Sequence, residues 1–103
     1  MVWKDGFNFI ENLNKSRFGG HSDWRYPSKE ELGTLIMPEE DRTSGLFIDK
    51  VFGAQRNFWS STELDHHHHR AAYADFYYGD MYTLEENYAN YYVRAVRTTE
   101  VDK

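Results

Sequence analysis

Ala71-Ala72-Tyr73-Ala74-Asp75-Phe76-Tyr77-Tyr78-Gly79-Asp80-Met81-Tyr82-Thr83-Leu84 is the stretch whose reading decides the fold. Ala72, Ala74 and Phe76 alternate with Tyr73, Asp75 and Tyr77. This is the two-residue period of a strand, and it predicts a small-residue inner face with the polar aromatics turned outward. Gly79-Asp80 supplies a hairpin-type turn, and Met81 to Leu84 reads as the returning strand. Upstream, Phe58-Trp59-Ser60-Ser61-Thr62 reads as a buried strand. Downstream, Glu85 to Asn90 is a polar loop, and Tyr91 to Thr98 reads as a last buried strand. The pattern predicts an antiparallel meander whose apolar ends hold a polar, aromatic middle in place.

Helical spacing precedes this region. Trp3, Phe7, Ile10 and Leu13 form an apolar stripe, and Asp5 suits the positive end of the helix dipole. Gly6 weakens that helix by ~1 kcal/mol without erasing the pattern. Gly19-Gly20 ends the segment and permits positive φ. Ser28-Lys29-Glu30-Glu31 is a capping box, entered in extended conformation through Pro27. Leu32, Leu35 and Ile36 give this second helix its buried face, and Met37-Pro38 stops it. Glu39-Glu40-Asp41 reads as a solvated acidic loop, lacking the ligand spacing of a calcium loop. Leu46-Phe47-Ile48 and Val51-Phe52 form an apolar patch that spacing leaves open between a short helix and a packed loop. Two helices followed by a meander make an α+β fold, with one domain over residues 1–103.

Bulk properties narrow the function. Aromatics are 17% of the 103 residues, enough for a few large side chains to fill most of a small core. With no cysteine there are no disulfides, thiolate metal sites or cysteine nucleophiles. The formal charge of -5 disfavours a nucleic-acid partner, which needs a basic patch. Mean hydropathy is -0.83, and no apolar run reaches the ~18 residues of a membrane span, so membrane insertion is not expected. Met1-Val2-Trp3-Lys4-Asp5-Gly6 lacks the basic and apolar regions of a signal peptide. A cytoplasmic chain is the default expectation, or a surface or phage-borne protein if the chain is a piece of a longer one.

The residues between Asp65 and Tyr91 carry the candidate site. Tyr73, Tyr77, Tyr78, Tyr82, Tyr88 and Tyr91 are interleaved with Asp75, Asp80, Asn87 and Asn90. Tyrosine brings contact area and a hydroxyl at low entropy cost, and Asn and Asp add adaptable hydrogen bonds, the mixture that antibody paratopes favour. Tyr, His, Asp, Asn and Ser are also one base change from an Asn codon or are Asn itself, the bias that adenine-directed mutagenesis would leave. The alternative is an aromatic-rich sheet whose tyrosines partly pack inward. His66 to His69 read first as a solvated or ligand-facing loop, with His67 and His69 as contact residues. His67 with His69, or Asp65 with His67, could offer two metal ligands, but no third is visible, so no metal or other cofactor is expected. Ser60-Ser61-Thr62 beside histidines lacks a nucleophile elbow, and no catalytic residues are assigned. Arg25, Arg94 and Arg97 read as internal bridges to carboxylates such as Glu31 or Asp23.

Four motifs then carry a resemblance. Trp24-Arg25-x-Pro27-x-x-x-Glu31-Leu32, Trp59-Ser60-Ser61, Ala72-x-x-Asp75-Phe76-x-x-Gly79 and Tyr92-Val93-Arg94-x-Val96-Arg97 occur in order. Over roughly Trp3 to Arg97 the chain resembles the Lcl C-terminal domain family, named for the C-terminal part of a collagen-like adhesin. Tyr26 stands where that family usually has Leu. The resemblance implies a C-type-lectin-like, formylglycine-generating-enzyme-like fold, which also houses the variable proteins of diversity-generating retroelements. It implies recognition of a protein or glycan ligand and not catalysis, since those enzymes work through cysteine. A glycan-binding adhesin domain is the nearest alternative to a genetically diversified binder. A metal-dependent enzyme at His66 to His69 is a more distant one, and burial of the tyrosine surface in an oligomer is a third possibility.

Overall fold

The computed structural model describes residues 1–49, 52–53, 55–65 and 69–97. Helix α1 spans Trp3–Lys15 and helix α2 Lys29–Gly33, and three strands follow: β1 Asn57–Asp65, β2 Arg70–Asp75 and β3 Asp80–Glu85. They form one antiparallel sheet in the order β1-β2-β3. The α+β class and the meander therefore stand as the spacing predicts. Among the described residues no helix is long and apolar enough to cross a membrane.

Helix α1 buries Trp3, Gly6 and Ile10. Phe7, placed by its spacing on the apolar stripe, is 45% exposed and instead lays its ring edge against Trp3 and Tyr26. Gly6 takes the inward position because the Tyr26 ring lies directly over it, leaving no room for a side chain. Asn14 anchors the far end of the helix, donating to the Trp24 carbonyl at 2.9 Å and accepting the Trp24 N–H at 2.7 Å.

The capping box of α2 is formed in full: Ser28 Oγ accepts the Glu31 N–H, and Glu31 accepts the Ser28 N–H at 2.9 Å. The regular helix closes at Gly33, earlier than Met37-Pro38. Leu35 and Ile36 continue in tight i to i−3 turns, and both still pack on the core around Leu32. The apolar patch Leu46-Phe47-Ile48 is a packed loop. Leu46 and Ile48 are buried, and the Phe47 N–H reaches the Phe76 carbonyl at 2.7 Å. Val51 lies outside the described residues.

Along β1, Phe58 and Trp59 point to opposite faces, and each face carries a core. Phe58 joins Leu32, Leu46, Ile48, Ala74 and Phe76, whereas Trp59 joins Trp3, Ile10, Tyr26 and Ala71. This corrects the expectation of a single inner face on β2. Ala71, Ala72 and Ala74 are all buried, because α1 covers one side and α2 with the 46–48 loop covers the other. The hairpin turn takes four residues, Phe76 to Gly79, with Asp75 paired to Asp80. Gly79 has φ 73, and a Cβ there would lie 2.8 Å from the Phe47 ring, so both the turn and the loop packing exclude a side chain.

The final segment is the other correction. Residues 91–97 make two isolated bridges, Tyr92 parallel to Phe58 and Val96 antiparallel to Arg25, and no continuous strand. The outer edge of β1 is divided: Trp59 N–H donates to Tyr92 and Ser61 N–H to Pro27, so neither segment has a ladder to itself. Thr98 lies outside the described residues. The segment still closes the domain as its apolar pattern implies, with Val93 and Ala95 packed on the Trp59 core. Arg25 pairs with Glu31 and Arg97 with Asp23. Arg94 differs from expectation: it donates to the Phe52 carbonyl and lies over the Phe52 and Phe58 rings.

Candidate ligand-binding cleft

A cleft of about 430 Å³ opens beside the hairpin, lined by Arg56, Asn57, Tyr73, Asp75, Tyr78, Tyr82 and Tyr91. Its wall grows outward from the core through ring contacts. Trp59, fully buried, touches Tyr91 at 5.0 Å and Tyr73 at 6.0 Å between centroids, and Tyr73 and Tyr91 lie 4.8 Å apart. Tyr82, directly across the ladder from Tyr73, is 6.0 Å from it, and Tyr78 is 6.3 Å from Tyr82. Burial beside Tyr91 pushes the Tyr73 phenol up to about 12, so it remains a hydroxyl donor through the physiological range.

Asp75 sits at the floor, 4% exposed, and its carboxylate organises the tip. One oxygen accepts the N–H groups of Tyr77 at 2.9 Å and Tyr78 at 3.3 Å, which fixes the turn. The Arg56 guanidinium holds both oxygens, through Nε at 3.1 and 3.3 Å and through Nη2 at 3.0 Å. That bond holds Arg56 in its charged form and sets it 4.6 Å from the Tyr77 ring centroid and 5.2 Å from that of Tyr78. The arrangement offers a guanidinium edge, an amide, several phenols and aromatic faces around one concavity. Ser60, singled out beside the histidines, is fully buried outside the lining, and its hydroxyl donates to the Ala72 carbonyl at 2.7 Å.

Of the residues singled out in the sequence, the cleft gathers Tyr73, Asp75, Tyr78, Tyr82 and Tyr91. Tyr77 stands exposed on the adjoining tip, and Asp80 is exposed at the base of the hairpin. Asn87, Tyr88 and Asn90 lie beyond β3, exposed and outside the lining. His69 precedes β2, at the end of the sheet away from the tip, and His67 lies outside the described residues. Sequence reasoning left out Arg56 and Asn57. Their only linear signal is a polar pair just before a buried strand. A second, larger depression of about 520 Å³ lies between the end of α1 and residues 92–95, with a mostly apolar lining that includes Phe9, Phe18, Trp24 and Tyr92. It gathers none of the residues singled out for ligand binding.

A three-stranded sheet with helices on both faces and an aromatic cleft at its hairpin defines a small α+β domain built around one tyrosine-rich concavity. The family model of the Lcl C-terminal domain matches residues 1–97, and the chain belongs to that family. The domain is thus related to the C-terminal part of an adhesin. No curated protein and no solved structure matches the chain.

Proposed function

We propose that this chain is a non-catalytic recognition domain on a C-type-lectin-like scaffold, and that its tyrosine cleft binds a glycan. The observation that carries this reading is the division between supported and offered rings. Tyr73 and Tyr91 are partly buried against Trp59, while Tyr78 and Tyr82 are 61% and 40% exposed over the same cleft. Exposed rings held by a packed base and an Arg–Asp pair are preorganised, so little entropy is lost on binding. The electron-rich ring faces suit the C–H face of a sugar, and phenol, amide and guanidinium groups suit its hydroxyls. If the gene is diversified, the physics confines variation to exposed positions such as Tyr77, Tyr78 and Tyr82. Asp75, Tyr73 and Tyr91 have structural duties that a random side chain would not meet.

The test is a glycan array read with wild-type protein and with a Tyr78→Ser/Tyr82→Ser variant. The variant should keep its melting temperature within ~3 °C, since both rings are largely solvated, and lose at least about tenfold in affinity for whatever wild type captures. Capture that survives the double substitution would place the site elsewhere, and a blank array would remove the glycan reading.

A further inference from the structure

His69, the described member of the histidine run, does not line the cleft, yet it stands in company that linear spacing could not show. Glu63 lies on β1 beside the irregularities in its pairing, His69 immediately precedes β2, and Glu86 immediately follows β3. Folding the meander brings the three to the same end of the sheet, with one ligating atom of each inside a mutual distance of 4.8 Å. His69 Nδ1 is 4.0 Å from Glu86 Oε1. The Glu86 side chain is 1% exposed, Glu63 is half-buried and His69 is 63% exposed. The Glu86 backbone is fixed from both sides: its N–H donates to the His69 carbonyl at 2.8 Å, and its carbonyl accepts the Trp3 N–H at 3.2 Å.

We propose that Glu63, His69 and Glu86 form a binding site for a divalent transition-metal ion of the zinc type, a structural tie at the end of the sheet away from the cleft. Two carboxylates that converge in a partly buried place repel each other, and a dication between them reverses the sign of that interaction. The imidazole decides the class of ion: calcium and magnesium take oxygen ligands, whereas one nitrogen with two carboxylates suits zinc, cobalt or nickel. Bond lengths of ~2.0–2.2 Å put the ligand atoms of a tetrahedral site about 3.4 Å apart, so the three must close by up to roughly 1.4 Å. Glu86 is the fixed ligand, and the more exposed Glu63 and His69 side chains move to it. A water on the open side of His69 completes the coordination. The ion would then link β1, the entry to β2 and the exit of β3, three points that the ladder hydrogen bonds alone join only in pairs.

The experiment uses the full chain after chelation, titrated with zinc and followed by calorimetry and melting temperature, with cobalt(II) as a visible reporter. Wild type should bind one ion per chain and melt ~10 °C higher at a hundredfold excess over Kd. Glu86→Gln should abolish that shift, read against the variant's own metal-free melting temperature. His69→Asn should abolish it too, because Asn keeps the positive φ of 54 that His69 adopts. If Glu86→Gln does not fold, Glu63→Gln gives the same readout from a half-buried position. Replacing His66, His67 and His68 with Ser should leave the shift intact. Loss of binding in that triple variant but not in Glu86→Gln would assign the metal to the histidine run and overturn the proposal, as would the absence of any zinc shift in wild type.

Discussion

The Tyr26 ring closes over Gly6 in the Trp59 core, and substituting the glycine measures that packing. A methyl carbon at Gly6 would lie 2.5 Å from Tyr26 Cε2, 2.7 Å from Cζ and 2.8 Å from the hydroxyl oxygen. The ring cannot swing aside: it is 7% exposed, it meets the Phe7 ring at 4.9 Å, and its hydroxyl donates to the Trp3 carbonyl at 3.3 Å. Two effects oppose each other in Gly6→Ala. Alanine favours a helix interior over glycine by ~1 kcal/mol. Overpacking a closed core costs ~1–3 kcal/mol, and displacing the phenol adds ~1 kcal/mol for its hydrogen bond. The clash wins, with a net loss of about 2 kcal/mol and a drop of ~8–15 °C in Tm. In a Tyr26→Leu background the ring is gone, and Gly6→Ala should become stabilising by ~1 kcal/mol. Urea unfolding of the four proteins, followed by tryptophan fluorescence, gives the coupling directly, and it should be about 3 kcal/mol. A Gly6→Ala effect of the same sign and size in both backgrounds would refute the packing argument.

Two further perturbations follow from charge. Arg25, with the Ser28 N–H second, holds the Glu31 carboxyl at about 2 against an ordinary 4.5. A carboxyl depressed on folding contributes stability that is present above the ordinary value and is lost as pH falls toward about 2. Both partners are 39% exposed, so solvent screening leaves about 1 kcal/mol. Glu31→Gln keeps a cap acceptor, and its deficit against wild type at pH 6 should shrink toward zero near pH 2. A constant offset across that range would show that the ion pair is not the cause. Asp75→Asn keeps an acceptor for the Tyr77 and Tyr78 N–H groups but ends the two-pronged grip on Arg56. Tm should fall by roughly 5–10 °C, and Arg56 should leave its place over the two rings. Unchanged aromatic-ring chemical shifts for Tyr77 and Tyr78 would sink this account of the tip.

What could be read from the sequence is what local chemistry determines. The capping box of α2 needs only Ser28 and Glu31, three residues apart, and the hairpin needs only an alternating pattern and a glycine at Gly79. What could not be read depends on distant backbone. Tyr91 to Thr98 has the composition of a strand, but strand formation needs a free edge, and β1 gives Pro27 one of the donors that a ladder would require. Asp75 alternates as an outward residue, yet it is buried because the β1–β2 pairing sets Arg56, nineteen positions earlier, beside it. The tyrosines make the same point at the site. Tyr73 and Tyr82 face each other across one ladder, identical in type and opposite in duty, since only Tyr73 lies against Trp59. A tyrosine-rich composition therefore marks the region but not which of its rings stay exposed. Those are selected by which rings the core has already claimed, and a cleft exists here because the core claims Tyr73 and Tyr91 and leaves Tyr78 and Tyr82 in water.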